Sequence, residues 1–331
     1  MVAVERKGSR KEEEEEEDED KAGQSAWGWE NATAGAIAGF ATVAALHPLD
    51  VVRTRFQVND GRCSTVPSYK NTAHALFTIA RSEGLRGIYA GFSPAVIGST
   101  LSWGLYFFFY NRAKNRYLKV RDELGPSLHL LSAAEAGTLA CLFTNPVWLV
   151  KTRLQLQTPL SQSPPYSGFS DAIRTILKEE GWRTLYKGIG PGLLLVSHGA
   201  IQFTAYEEAC KILIKIKSTR EKHDHSNDDR LLNSVDYAVL GASSKIVAIL
   251  LTYPFQVIRS RLQQRPSTHT LPRYRDAWHV LKETARFEGI NGFYRGITSN
   301  LLKNIPAASI TFVVYENVLR LLRMTNKNVN N

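Results

Sequence analysis

The stretch PLDVVRTRFQ, Pro48 to Gln57, closes a long run of small and apolar residues, and its reading decides the fold. Proline removes a backbone donor and bends a helix. Here an acid and two bases follow it, Asp50, Arg53 and Arg55. The stretch returns as PVWLVKTRLQ from Pro146 and as PFQVIRSRLQ from Pro254, at intervals of 98 and 108 residues. A second pattern keeps step with it: EGLRGIYAG from Glu83, EGWRTLYKG from Glu180 and EGINGFYRG from Glu288. Two motifs held in phase three times make the chain a threefold internal repeat. The expected copies are residues 27–120, 121–218 and 219–325, forming one structural unit between an acidic tail, 1–26, and a short tail, 326–331.

Charge divides the 331 residues into two parts. Residues 1–26 hold ten acids and five bases, so the net +10 of the whole leaves +15 on the rest. The run EEEEEEDED repels itself and is expected to be disordered. Its acids also make it unlike a transit peptide. The bases of the body are spread over all three repeats rather than gathered on one helix, which argues against a nucleic-acid partner and fits a protein facing anionic lipid. Cys63, Cys141 and Cys210 have neither disulfide nor zinc spacing. No glycine-rich phosphate loop, nucleophile elbow or metal-ligand spacing occurs, so no enzyme, cofactor or metal site is expected.

Mean hydropathy is −0.21. Six segments are nevertheless long, helical in period and poor in charge: 29–58, 92–118, 127–157, 190–216, 232–264 and 297–323. The first, third and fifth contain the motif proline. Between the members of each pair lies a shorter amphipathic helix, near 71–83, 169–180 and 275–288, with Ala75, Ile79 and Ala80 facing one way in the first. The expected fold is an all-α membrane protein with six transmembrane helices in three pseudo-symmetric repeats and three short amphipathic helices on one side. GAIAG (Gly35–Gly39) and AAEAG (Ala133–Gly137) are small-residue patterns for close helix contact. The rival of another class is a soluble helical-repeat scaffold. LLTYPFQVI and YFFFY are too apolar for its outer faces.

Positions i, i+3 and i+7 share a helix face. Asp50, Arg53 and Gln57 have that spacing, as do Trp148, Lys151 and Gln155, and Gln256, Arg259 and Gln263. Threefold symmetry brings the three stripes to one axis, where kinks at Pro48, Pro146 and Pro254 close the bundle and the charges latch it. Exposed ion pairs contribute only about 0–1 kcal/mol each, which suits a gate that must open. For a single copy, bases snorkelling from a helix end explain such a stripe as well.

The triple pattern Pro-x-acid-x-x-base-x-base, followed by acid-Gly-x4-aromatic-base-Gly, resembles the signature of the mitochondrial carrier family over residues 27–325. The resemblance implies six tilted helices around a central cavity, alternating access between two gates, and action as a monomer. It pairs the acid of one repeat with the base of the next, Asp50 with Lys151. Trp148 and Gln256 depart from the pattern by replacing two of the three acids, and Ala90 replaces one base. One acid then faces three bases, and the excess of +2 favours anionic solutes. Gln57, Gln155 and Gln263 match the family's bracing position and are expected to compensate by hydrogen bonding, with Trp148 stacking on a base. At the opposite gate the family pattern is eroded, leaving Lys114 and Glu207 as the expected pair.

Charges at mid-span are functional candidates by default, here Glu135, Lys245 and Lys303. Glu135 and Lys245 also read as a structural ion pair. Lys303 lies seven residues after Gly296, where the resemblance places a solute contact; Gly98 matches it in the first repeat, and Leu194 or Leu195 in the second. Trp103 and Tyr106 are candidates for stacking on a flat ring. His198 and Gln202, four residues apart, are candidates to line the cavity, and a structural role explains His198 equally well. NPVWLVKTRLQ, SHGAIQF and SSKIVAILLTYPFQVIRSRLQ are similar to the branch of the family that moves folate, FAD, NAD and pyrimidine nucleotides. That likeness implies folate or another anionic cofactor as solute. It also implies a plastid (chloroplast) envelope, with the mitochondrial inner membrane as the alternative.

Overall fold

The computed structural model describes residues 2–61, 66–119, 125–161, 164–221, 234–266 and 274–329. Cys63 lies outside them, and Cys141 and Cys210 are free thiols. All regular structure among the described residues is helical. In chain order the helices are α1 (Val2–Val58), α2 (Thr72–Ile88), α3 (Phe92–Leu118), α4 (Pro126–Gln155), α5 (Phe169–Glu179), α6 (Ile189–Leu194), α7 (Ser197–Glu221), α8 (Ser234–Leu262), α9 (Ala277–Gly292) and α10 (Ile297–Val329). The backbone of α1 is helical from Val2. Disorder of the acidic tail therefore stands as a proposal, and its side chains lie outside the described ones.

Each repeat presents a long helix carrying the motif proline (α1, α4, α8), a short amphipathic helix (α2, α5, α9) and a second long helix. The second repeat departs from the expected continuous segment 190–216. Its second helix is split into α6 and α7 at Leu195 and Val196, where the Val196 and His198 amides donate three residues back to Leu193 and Leu195. Four helical segments are long and apolar enough to cross a membrane: Glu30–Val58, Phe92–Leu118, Asp236–Leu262 and Ile297–Thr325. The helices of the second repeat do not reach that composition. Polar and charged residues interrupt their apolar runs, as in HLLSAAEAGTL of α4 and the YEEACK run of α7. A helix that lines a polar path or packs on its neighbours need not be apolar all round. Phe107, Phe108 and Leu251 stand exposed on long helices, as lipid-facing residues do.

Two of the three short helices, α2 and α9, are started by side-chain caps, and α5 starts at Gly168 without one. Asn71 accepts from the His74 amide, and Asp276 from the His279 amide, both at 2.8 Å. Each then buries one stripe against the proline helix of its own repeat. Ala75 and Ile79 of α2 pack with Val52, Val66 and Tyr69. Ala172 and Ile176 of α5 pack with Leu149, Val150 and Leu154, and Val280 of α9 packs with Ile258 and Tyr274. Fully burying an isoleucine such as Ile79 or Ile176 contributes about 1.5–3 kcal/mol. Ala80 does not share this stripe: it is exposed, because it lies 100° from Ile79 around the helix.

The chain divides into two compact bodies, His47–Leu301 and Met1–Leu46 with Leu302–Asn331. The second holds its own cross-links. Thr42 and Thr311 share a hydrogen bond of 2.8 Å, the Tyr315 hydroxyl donates to Asn31 Oδ1 at 2.6 Å, and Arg323 lies 3.9 Å from Glu30.

Candidate functional site

The proline ends of α1, α4 and α8 lie within the body His47–Leu301, and their contacts run in a cycle from each repeat to the next. At the joint of repeats one and two, Asp50 takes Lys151 Nζ at 2.5 Å and the Nε2 of Gln155 at 3.1 Å. Thr54 donates to Gln155 Oε1 at 2.7 Å, so the amide bridges both helices. This is the pairing expected of the one surviving acid. The side chains are only 7% and 13% exposed, so the desolvation cost is offset through the further hydrogen bond that Gln155 donates to the carboxylate.

The other two joints keep the frame and lose the acid. Between repeats three and one, Arg53 Nη2 donates to Gln256 Oε1, and Ser260 donates to Gln57 Oε1 at 2.7 Å. Between repeats two and three, Thr152 donates to Gln263 Oε1 at 2.9 Å. Trp148 has turned towards α3, where its Nε1 donates to Ser102 Oγ at 3.2 Å, and Lys151 Nζ lies 4.8 Å from its ring centroid. Stacking of Trp148 on a base is thus present. Arg259 donates to Asn145 Oδ1 at 3.1 Å. The expected compensation by the glutamines is confined to their oxygens. Nε2 of Gln57 and Nε2 of Gln263 are buried without a hydrogen-bond partner, whereas Gln155 Nε2 has Asp50. The cause is local: the carboxylate that would accept each amide is absent at 256 and 148.

A second ring of contacts went unread in the sequence. Arg55, Arg153 and Arg261, the last bases of the motif, have fully buried side chains. Each makes a two-pronged pair with the acid of its own repeat: Arg55 with Glu83, Arg153 with Glu180 and Arg261 with Glu288. Each Nε donates to the backbone carbonyl of the next repeat's glutamine: Arg55 to Gln155 at 3.0 Å, Arg153 to Gln263 at 3.2 Å and Arg261 to Gln57 at 3.0 Å. Burial pushes the Tyr166 hydroxyl above its ordinary pKa, so it remains protonated beside Arg153. The signal was available: base and acid recur 28, 27 and 27 residues apart in the three copies.

Glycines 91, 188 and 296 close the same cycle. Each holds a positive φ (72°, 79° and 81°) at the start of the second helix of its repeat. A Cβ on Gly91 would lie 3.0 Å from the Lys151 carbonyl oxygen, and one on Gly296 would lie 3.0 Å from that of Arg53. Only glycine lets the chain turn there and approach the next repeat's proline helix so closely. The residue before each kink proline binds the connection preceding that glycine. His47 Nε2 donates to the Ala90 carbonyl at 2.9 Å, Asn145 Nδ2 to Leu185 at 2.8 Å and the Tyr253 hydroxyl to Arg295 at 2.9 Å.

The remaining candidates are dispersed. Glu135 is held by Arg116 and by the Tyr117 hydroxyl of α3, so the structural pair expected with Lys245 is replaced by one with α3. His198 Nδ1 bonds Thr252 Oγ1 at 3.0 Å across α7 and α8, a structural contact. Gln202 is half-buried and Leu194 is exposed at the end of α6, followed by Leu195 in the break. Gly98 is buried with the Trp148 ring against it. The Trp103 and Tyr106 rings meet edge to face at 6.1 Å, and Tyr106 stacks on Tyr110 at 6.0 Å. Lys114 and Glu207 do not form an ion pair; Glu207 adjoins Lys211. Lys303 belongs to the other body, half-buried on α10.

The family description "Mitochondrial carrier protein" matches the chain three times, over residues 24–121, 122–217 and 231–326. The chain is 73% identical over 301 residues to "Folate transporter 1, chloroplastic" of Arabidopsis thaliana, covering 90% of this chain and 97% of that protein. It is 40% identical over 294 residues to "Nicotinamide adenine dinucleotide transporter 1, chloroplastic" of the same plant, covering 88% and 91%. It is 35% identical over 287 residues to "Mitochondrial nicotinamide adenine dinucleotide transporter 1" of Saccharomyces cerevisiae, covering 86% and 75%. Three family matches in the phase of three contact cycles leave one conclusion: the chain belongs to the mitochondrial carrier family.

Proposed function

We propose that this chain carries folate or its derivatives across an organelle envelope or inner membrane by alternating access. The 73% identity to the Arabidopsis folate transporter, over nine-tenths of the chain, carries this reading. That relative's name places it in the chloroplast, and a membrane of that organelle, its envelope, is the proposed location. The mitochondrial inner membrane is the alternative, through the relative from yeast. The chain acts as a monomer in lipid and performs no covalent chemistry on its cargo. The Asp50, Gln155 and Lys151 joint, with its two acid-free counterparts, is the gate at the proline end. Gln57, Gln263, Arg53 and Arg259 belong to the same gate, with Pro48, Pro146 and Pro254 as its kinks. Within the body His47–Leu301, Leu194, Leu195, Trp103, Tyr106, Lys245 and Gln202 are the candidates to face the solute, and Gly98 makes room for the Trp148 ring; Lys303 is a separate candidate contact for the solute's anionic end. An excess of base over acid at the gate supports an anionic cargo, and aromatic rings on α3 support one with a flat ring.

The second reading is a carrier of FAD, NAD or pyrimidine nucleotides, favoured by the two NAD transporters at 40% and 35% identity. Uptake by proteoliposomes decides between them, with labelled folic acid, FAD, NAD and pyrimidine nucleotides offered to the purified protein. Saturable folic acid uptake is the expected result. Uptake of NAD or nucleotides without folic acid refutes the folate reading.

A further inference from the structure

The filled joint is a template for an empty one. On α4, Lys151 and Gln155, four residues apart, hold the Asp50 carboxylate between Nζ and Nε2. On α8, Arg259 and Gln263 have the same spacing and the same place in the cycle. Gln263 is 2% exposed, and its oxygen is fixed by Thr152 as that of Gln155 is fixed by Thr54. Its Nε2, the donor that in Gln155 meets the Asp50 carboxylate, is buried and bonds nothing among the described residues. Arg259 has no carboxylate among the described residues and is held only by the neutral Asn145. The residue that should supply the acid is Trp148, and its indole has turned to Ser102 and Lys151 on the far side. A buried amide donor without an acceptor is costly unless something else satisfies it.

We propose that Arg259 and Gln263 form a seat for a carboxylate of the transported solute, which takes the place of the missing acid of repeat two. The proposal rests on the anionic-solute reading given above. The solute meets Arg259, a half-buried residue, before the buried Gln263. One oxygen pairs with the guanidinium and the other accepts from Gln263 Nε2. Binding thereby completes the joint between repeats two and three as Asp50 completes the joint between one and two. The gate link made by the protein's own acid in repeat one is made by the cargo in repeat two. An anion without the reach to span both donors gains only the first contact.

The test is ligand-dependent thermal stability of the full chain in detergent, with folic acid as probe, since a ligand that binds only the folded state raises the melting midpoint. Wild type is expected to be stabilised. Trp148→Asp supplies an internal carboxylate to the seat. It should raise the midpoint without ligand and weaken folic acid stabilisation about ten- to a hundredfold in half-saturating concentration. Trp148→Phe removes the indole and adds no charge, so it should keep that stabilisation. Unchanged folic acid stabilisation in Trp148→Asp overturns the proposal. Equal loss in both variants also overturns it, because the indole and not an open seat would then hold the solute. Failure of wild type itself to respond to folic acid, with a response to NAD, refutes the folate reading instead. The same two variants then test the seat with NAD.

Discussion

Arg153→Met should unfold the second repeat's end of the molecule far more readily than any exposed charge change. The Arg153 side chain is fully buried and does four things: it pairs with both oxygens of Glu180, donates to the Gln263 carbonyl at 3.2 Å and donates to Tyr166 at 3.4 Å. Methionine fills much of the volume and makes none of these bonds. Glu180, only 12% exposed, is left with Lys187 alone, 3.9 Å away, and the Gln263 carbonyl loses its donor. Breaking a buried pair by removing one member costs about 3–5 kcal/mol. At about 2–4 °C per kcal/mol, the melting midpoint should fall by about 10 °C. Glu180→Gln alone should cost less, because the guanidinium retains Tyr166 and the Gln263 carbonyl. The double variant should recover part of the loss, since no charge is then buried unpaired. Thermal unfolding of the three detergent-solubilised variants, with wild type alongside, measures the cycle. A fall below about 2 °C for Arg153→Met, or strictly additive losses, would refute the claim that these pairs hold the repeats together.

Gly296→Ala should lower both abundance and uptake, since its Cβ would meet Phe56 Cβ at 2.9 Å and the Arg53 carbonyl oxygen at 3.0 Å; Gly61→Ala, also at positive φ but with open space around it, should show only the backbone strain in the same uptake and unfolding assays. Lys303→Ala should weaken folic acid uptake about ten- to a hundredfold in half-saturation through loss of a charge-assisted contact, with Lys303→Arg retaining part of it. Glu135→Gln should not rescue Lys303→Ala, because Glu135 is engaged by Arg116; rescue would show that Lys303 serves Glu135 rather than the solute. His47→Phe keeps an aromatic ring but removes the bond to the Ala90 carbonyl, and should slow maximal uptake more than it changes half-saturation; His47→Tyr, the residue used before Pro254, should restore part of the rate. Deletion of residues 1–26 should leave uptake at wild-type levels, measured at equal membrane abundance.

The sequence by itself determined the architecture. Repetition is a property of the string: three prolines, three acid-glycine motifs and three stripes at i, i+3 and i+7 are countable without coordinates. Helical spacing then placed Asp50, Arg53 and Gln57 on one face, and the resemblance to the carrier family implied the pairing of Asp50 with Lys151. What lay beyond it depended on where side chains turn once helices meet. Nothing in the letters tells that Trp148 would rotate to Ser102, because χ1 and χ2 are chosen by the space that neighbours leave. The same holds for Glu135, which two helices could have claimed and α3 took. The orphaned amides of Gln57 and Gln263 are likewise a tertiary fact: hydrogen bonds need an angle and a distance, and only the packed bundle fixes both. The Arg–Glu ring stands between the two cases. Its residues recur legibly in the string, but their burial, which makes the pairs strong and their loss costly, exists only after the three repeats have closed on one another.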